Sequence, residues 1–238
     1  MKCIILAAGA STRLRPVTDS IPKCLLPVGK KTILQRCIES LHRANISQIG
    51  IVVGFEAGKI RSHLQQQFPG KKFKVILNPN FATTNNAYSL LLGREFFLNA
   101  DSKTNVTNDL MILDSDVIFH PGLLQFLLRN ADANKIAVRV TGAHDEEEVG
   151  VVVDGNGDVS GIGKDVNIQQ KYGESVGIAC FSVESANTLF EVLERRVRRG
   201  NGRTEYYESA FQELIDRGVK IRAIDVSKYP SLEIDSPA

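Results

Sequence analysis

The chain has 238 residues, of which 43% are hydrophobic and 24% are charged. That is enough apolar material for one sizeable core and excludes a disordered chain. The formal net charge of +2 excludes bulk attraction to nucleic acid or to a membrane, so any anion must be met by a local cluster of cations.

In chain order, residues 2–7 predict a buried strand. Ile33, Leu34, Cys37, Ile38 and Leu41 form a helical stripe over 33–44, with Thr32 as its N-cap. A strand at 49–53, a helix at 56–68, a strand at 73–77, a helix at 86–97, a strand at 110–113 and a helix at 121–130 follow. This alternation predicts an α/β fold with a mixed, mostly parallel sheet flanked by helices. The second half is richer in strands, at 138–141, 149–154, 159–163 and 177–183, before helices around 184–199 and 205–217 and a strand at 219–226. Asp154–Asp158 reads as a hairpin turn. It is not a calcium loop, because the sixth and twelfth positions hold Val159 and Asp165 in place of Gly and Glu. With no repeat, low-complexity tract or linker, one continuous domain spanning 1–238 is expected.

No apolar run reaches the roughly 18–20 residues of a membrane-spanning helix, and MKCIILAAG lacks the layout of a signal peptide. Cys3, Cys24, Cys37 and Cys180 form no CxxC pair and sit mostly in apolar patterns, which predicts reduced, core-packed thiols and a cytoplasmic protein. His42, His63, His120 and His144 show no metal-ligand spacing.

The stretch AAGASTRLRPVTDSIPKCLLPV, residues 7–28, follows the first strand directly. A loop there lies at the carboxyl edge of the sheet, where α/β folds bind ligands. Ala7, Ala8, Gly9 and Ala10 permit close backbone approach, and successive N–H groups can cradle phosphate oxygens. Arg13 adds a planar cation suited to phosphate, and Lys23 a second fixed charge. Neither G-x-x-x-x-G-K-[ST] nor G-x-G-x-x-G is present. Further on, LMILDSD places Asp114 and Asp116 at the end of an apolar strand, a natural magnesium site beside phosphates or a turn-capping pair.

AAGASTRLRPVTDSIPKCLLPVG resembles the signature of the nucleotidyltransferases that make nucleotide-activated sugars and alcohols, G-x-[GS]-[ST]-R-[LM]-x-P-x-T…P-K. The resemblance implies a Rossmann-like fold with residues 1–120 as a nucleotide-binding half and 121–238 as a β-rich acceptor-binding half. It implies that Ala8, Gly9, Ala10, Ser11, Thr12, Arg13 and Lys23 meet the nucleoside triphosphate, Arg13 and Lys23 neutralising charge in catalysis. It also implies that Asp116 and Asp235 hold Mg²⁺. The segment LEIDSP that carries Asp235 stands almost at the end of the chain, where a closing helix is expected. A chain truncated at its C-terminus, or one domain of a longer protein, is therefore expected.

NNAYSL at 85–90, Tyr206-Tyr207-Glu208 and EIDS at 233–236 are similar to segments of the bacterial choline-phosphate cytidylyltransferase branch. That similarity implies CTP as donor. Asn85 and Asn86 are candidates for fixing the nucleoside, or they cap the helix they begin. The acceptor side is expected to include Asp114, Tyr88, Glu174, Tyr207 and Glu208, and also Lys164, which stands where sugar-activating relatives grip the acceptor phosphate. Choline recognition uses aromatic faces around a quaternary ammonium, yet the sequence has no Trp and five Tyr. A primary amine held by carboxylates is the alternative, with Asp145-Glu146-Glu147-Glu148 either bordering the acceptor or forming a solvated loop. The expected activity is transfer of CMP from CTP to phosphoethanolamine, 2-aminoethylphosphonate or phosphocholine with release of pyrophosphate. The competing expectations are a sugar-1-phosphate or inositol-phosphate nucleotidyltransferase, a D-x-D glycosyltransferase and a non-catalytic nucleotide-binding module.

Overall fold

Lys2–Ala7 (β1) is buried along its whole length, as a strand covered on both faces must be. In the computed structural model, which describes residues 1–99, 109–140 and 148–234, this strand lies in the middle of the main sheet. The chain leaves it through 3-10 turns at Thr12–Leu14 and Lys23–Leu25 and a small ribbon, Pro27–Val28 (β2) with Lys31–Thr32 (β3). Ile33–Arg43 (α1) begins where the Thr32 hydroxyl accepts the Gln35 N–H, and it buries the predicted stripe. Gln48–Val53 (β4), Ala57–Gln67 (α2) and Lys74–Leu77 (β5) come next. The single helix expected over 86–97 is two, Asn86–Leu92 (α3) and Arg94–Leu98 (α4), parted at Gly93. A Cβ at Gly93 would stand 2.7 Å from Ile4 Cδ1. Glycine admits this contact with β1 and also weakens helix continuation.

Leu110–Asp114 (β6) returns beside β1, and Val117–Phe119 (β7) follows almost at once. The remaining elements are Leu123–Arg129 (α5), Lys135–Arg139 (β8), Gly150–Val153 (β9), Val159–Gly163 (β10), Gly173–Phe181 (β11), Val183–Arg198 (α6), Glu208–Asp216 (α7), Arg222–Asp225 (β12) and Ser231–Glu233 (β13). Among the described residues the main sheet runs β10-β9-β11-β6-β1-β4-β5, with β8 beside β11 and β12 beside β8. Its β6-β1-β4-β5 part is parallel, and the second half joins antiparallel through β11. The expected mixed α/β, Rossmann-like architecture is present. The Asp154–Asp158 turn joins β9 to β10, its Asp154 carboxylate accepting the N–H groups of Asn156 and Asp158.

Alternate residues of β1 feed two cores. Cys3 and Ile5 pack with α1, α2 and α5 on one face, while Ile4 and Leu6 pack with α3, α6 and α7 on the other. All four cysteines are free and buried, and burial pushes the Cys37 and Cys180 thiols up to about 12, so they pack as small apolar groups. Among the described residues no helix is long and apolar enough to cross a membrane.

Candidate active site

The chain passes from β1 to β4 on one side and later returns as β6 on the other. The connections therefore diverge at the carboxyl ends of β1 and β6, which leaves a crevice there. A cavity of about 450 Å³ opens at this point.

The loop after β1 forms one wall. Ala8 O accepts the Phe55 N–H at 3.1 Å, and a Cβ on Gly54 would stand 2.7 Å from the same oxygen, so glycine admits the close pass. Ser11 is left-handed at φ 48. Its carbonyl accepts the Thr18 hydroxyl at 2.7 Å and the Leu14 N–H at 3.1 Å, which holds the turn. A Cβ at Gly9 would meet nothing within 4 Å. Ala8, Gly9, Ser11, Thr12 and Arg13 line the cavity, whereas Ala10 does not.

Lys23 Nζ sits 2.8 Å from Asp116 Oδ2, with the lysine side chain 9% exposed. Asp114, at the end of β6, accepts the Tyr207 hydroxyl at 2.7 Å. Burial, reinforced by the nearby charges of Asp116 and Glu208, holds its carboxyl well above the usual range, and the Tyr207 hydrogen bond opposes this. Gly177, at φ +67 on β11, leaves the room that Asp114 occupies, since a Cβ would stand 2.7 Å from Asp114 Oδ2.

The opposite wall is carboxylate-rich. Arg139 donates to Glu174 at 2.8 Å and to Glu148 at 3.0 Å, and Lys171 donates to Glu174 at 3.1 Å. Burial, then the hydrogen bond to Glu174 and its charge, push Glu148 up to about 7. Burial also pushes on Glu174, but hydrogen bonds from Glu148, Arg139 and Lys171 hold it below the usual range. Lys164 follows β10 with its Nζ 4.9 Å from the Tyr206 ring centroid. Glu208 is buried, and that burial pushes it up to about 7.

Asn85 and Asn86 both line the cavity, and both also do structural work. The Asn85 side chain accepts the Asn86 N–H at 2.8 Å as the cap of α3, and Asn86 Oδ1 accepts the Tyr207 N–H at 2.9 Å. Two expected acceptor residues do not line the cavity. Tyr88 lies under the Arg203 guanidinium, 5.5 Å from its ring centroid. Tyr207 is buried behind Asp114, which it orients. Asp235, Asp145, Glu146 and Glu147 fall outside the described residues.

Arg139 and Glu233 line the cavity without having been expected there as contact residues, and Gly177, on the same strand as Glu174, lines it too. Glu233 belongs to the EIDS segment, so a signal existed. It lies on β13, paired in register with Val117 of β7. Arg139 has no motif around it, and the sheet register sets it opposite Glu174.

Asp114, Asp116 and Glu233 bring carboxylates to the cavity, and hard oxygen donors of this kind suit Mg²⁺. Among the described residues no three His, Cys, Asp or Glu side chains are grouped for a metal. Mg²⁺ in phosphate sites takes one or two carboxylates and completes its shell with substrate oxygens and water.

The family described as nucleotidyl transferase matches residues 2–165. CMP-5'-(3-aminopropyl)phosphonate synthase of Streptomyces rubellomurinus is 30% identical over 137 residues, which is 58% of this chain and 20% of that protein. Choline-phosphate cytidylyltransferase of Streptococcus pneumoniae is 40% identical over 104 residues, 42% of each chain. The matched regions thus span less than half the length of these two relatives. In fold, the chain is similar to the inositol-1-phosphate CTP transferase from T. maritima, with a TM-score of 0.78, 20% identity, and coverage of 99% of this chain and 89% of that one.

Proposed function

The chain belongs to the nucleotidyl transferase family, and from that premise we propose that it transfers CMP from CTP to a small phosphorylated or phosphonate amino alcohol, releasing pyrophosphate. One observation carries this reading. A single cavity has the loop of Gly9, Ser11 and Arg13 with Lys23 on one side, and Lys164, Glu174 and Glu148 on the other. Triphosphate and acceptor can therefore meet within one enclosure.

An oxygen of the acceptor's phosphate or phosphonate attacks the α-phosphorus of CTP. The new P–O bond forms as the bond to the β-phosphate oxygen breaks, and pyrophosphate leaves in line. No covalent enzyme intermediate is needed, because positioning and charge neutralisation carry such transfers. Backbone N–H groups of the 8–13 loop hold the triphosphate, Arg13 and Lys23 oppose its charge, and Asn85 and Asn86 border the nucleoside. Asp116, with Asp235, would hold Mg²⁺, which supplies further neutralisation of phosphate charge. Tyr207 keeps Asp114 in place. Lys164 leaves the Tyr206 ring to grip the acceptor's anionic end.

The carboxylates of the acceptor wall and the absence of tryptophan favour a primary amine over a quaternary one, in keeping with the aminopropylphosphonate named for one relative. The Glu148–Glu174 pair would also accept hydroxyl groups, so an inositol or sugar phosphate is the second reading. Four buried thiols support a reducing, cytoplasmic setting.

The test is pyrophosphate release with Mg²⁺ and CTP, against phosphoethanolamine, 2-aminoethylphosphonate, phosphocholine, inositol phosphate and sugar-1-phosphates. Release with an amino alcohol acceptor, abolished by a chelator and restored by Mg²⁺, is expected. Release only with a sugar or inositol phosphate would replace the acceptor. Release with none, from folded protein, would refute the transfer.

A further inference from the structure

Glu208, the first residue of α7, stands where two cavities meet. It lines the 450 Å³ cavity and also a second one of about 610 Å³, and Val149, Lys164 and Tyr206 are shared between them in the same way. The residue is 4% exposed, yet its Oε2 has no hydrogen-bond partner among the described residues. A buried carboxylate oxygen left unmet is costly, and native structures retain few. The neighbouring carboxylates are served. Asp114 has the Tyr207 hydroxyl, and Glu174 has Arg139 and Lys171. The Glu208 N–H, the Tyr207 hydroxyl and, more weakly, the Lys164 ammonium favour the charged form of Glu208, but none of them reaches Oε2, and the Lys164 ammonium lies over the Tyr206 ring.

We propose that Glu208 determines acceptor specificity: its unmet oxygen receives an N–H of the acceptor's ammonium, beside the Tyr206 ring and at the mouth of the second cavity. This rests on the transfer reading above. It defines the acceptor as a zwitterion, with a phosphate or phosphonate at one end and a primary or secondary amine at the other. A quaternary ammonium has no N–H to offer and would leave the carboxylate oxygen unpaired, which a site of this kind penalises. The second cavity gives the amino end room to lengthen or to carry a substituent. The orphan oxygen is then a cost to the free protein that the correct acceptor relieves.

The experiment measures calorimetric binding of 2-aminoethylphosphonate, 3-aminopropylphosphonate and their N-trimethyl analogues. Wild type, Glu208→Gln and Glu208→Asp are compared in the presence of a non-hydrolysable CTP analogue, with pyrophosphate release measured in parallel on CTP. Wild type is expected to prefer the primary amines by roughly tenfold or more. Glu208→Gln is expected to erase the preference, raise the acceptor KM, leave the CTP KM unchanged and not lower the Tm. Glu208→Asp should recover part of the preference. Equal binding of amine and trimethyl compounds by wild type, equal weakening of both in Glu208→Gln, or no binding of any of them would overturn the proposal. A Glu208-dependent amine preference without turnover would sustain it and refute cytidylyl transfer. Turnover on CTP with no amine preference would do the reverse.

Discussion

Lys23 Nζ lies 2.8 Å from Asp116 Oδ2, with side chains 9% and 32% exposed. The lysine comes from the loop after β1 and the aspartate from the turn after β6, so this contact ties the loop to the sheet edge. It also places the cation beside the carboxylate expected to hold the metal. On the transfer reading above, Asp116 would be among the residues that hold Mg²⁺, and Lys23 would then be released to meet phosphate.

Lys23→Ala should therefore lower pyrophosphate release by about a hundredfold or more, since such cations act on charge developing in the transition state. Lys23→Arg should retain a fraction of the activity. Steady-state kinetics with a thermal melt would separate this from unfolding. Wild-type turnover in a folded Lys23→Ala protein would remove Lys23 from the mechanism.

Two glycines at the site should respond in opposite ways. Gly177→Ala forces a Cβ to within 2.7 Å of Asp114 Oδ2 at a φ of +67. It should cost about 1–3 kcal/mol and reduce kcat by displacing Asp114 from Tyr207. Gly9→Ala meets nothing within 4 Å, so its stability should stay near wild type while the CTP KM rises several-fold as the methyl enters ligand space. Urea unfolding and CTP titration check both.

The stability of the free protein should fall as pH rises from about 4.5 to about 7. Burial raises Glu208 from 4.5 to about 7. Within that window folded Glu208 keeps a proton that the unfolded chain releases, so folding becomes less favourable with rising pH, and this contribution levels off above it. The groups facing Glu208 are Asp114, Lys164 and Tyr207. Glu148, raised to about 7, and Asp114, held well above the usual range by burial, contribute with the same sign. Burial pushes Glu39 and Glu213 up too, but Lys31 and Gln35 on the one, and Arg196, Arg195 and Arg217 on the other, hold them below the usual range. Their stabilisation is lost only at lower pH. Glu208→Gln should remove a fall on the order of 1–3 kcal/mol, read as urea unfolding at pH 5 and pH 7.5. The same slope in both proteins would contradict the assignment.

Arg139→Met should leave Glu148 and Glu174 facing each other beside Lys171 without the guanidinium that bridges them. Arg139 is 31% exposed, so the loss should be moderate, about 1–3 kcal/mol, and larger at pH 8 than at pH 5.5, where Glu148 is protonated. Calorimetric unfolding at both values measures this. A variant as stable as wild type at pH 8 would show that the cluster does not depend on Arg139.

The features legible in the sequence are those set within one short segment. The apolar run of β1, the stripe of α1 with its Thr32 cap and the small-residue loop with Arg13 and Lys23 follow from local backbone preference and side-chain period. Together they determined the α/β class, and they pointed to the sheet edge where the cavity opens and to the cations expected to meet phosphate. The segment carrying Glu233 was also visible, although its place on β13 was not. Tertiary structure alone decided what depends on register and packing between segments far apart in the chain. It set Arg139 of β8 opposite Glu174 of β11, buried Tyr207 behind Asp114, and broke a helix at Gly93 where Ile4 approaches. It also left one oxygen of Glu208 unmet at the junction of two cavities. A residue's period and propensity say which face it prefers, but the partner across that face is chosen by how the strands and helices come together.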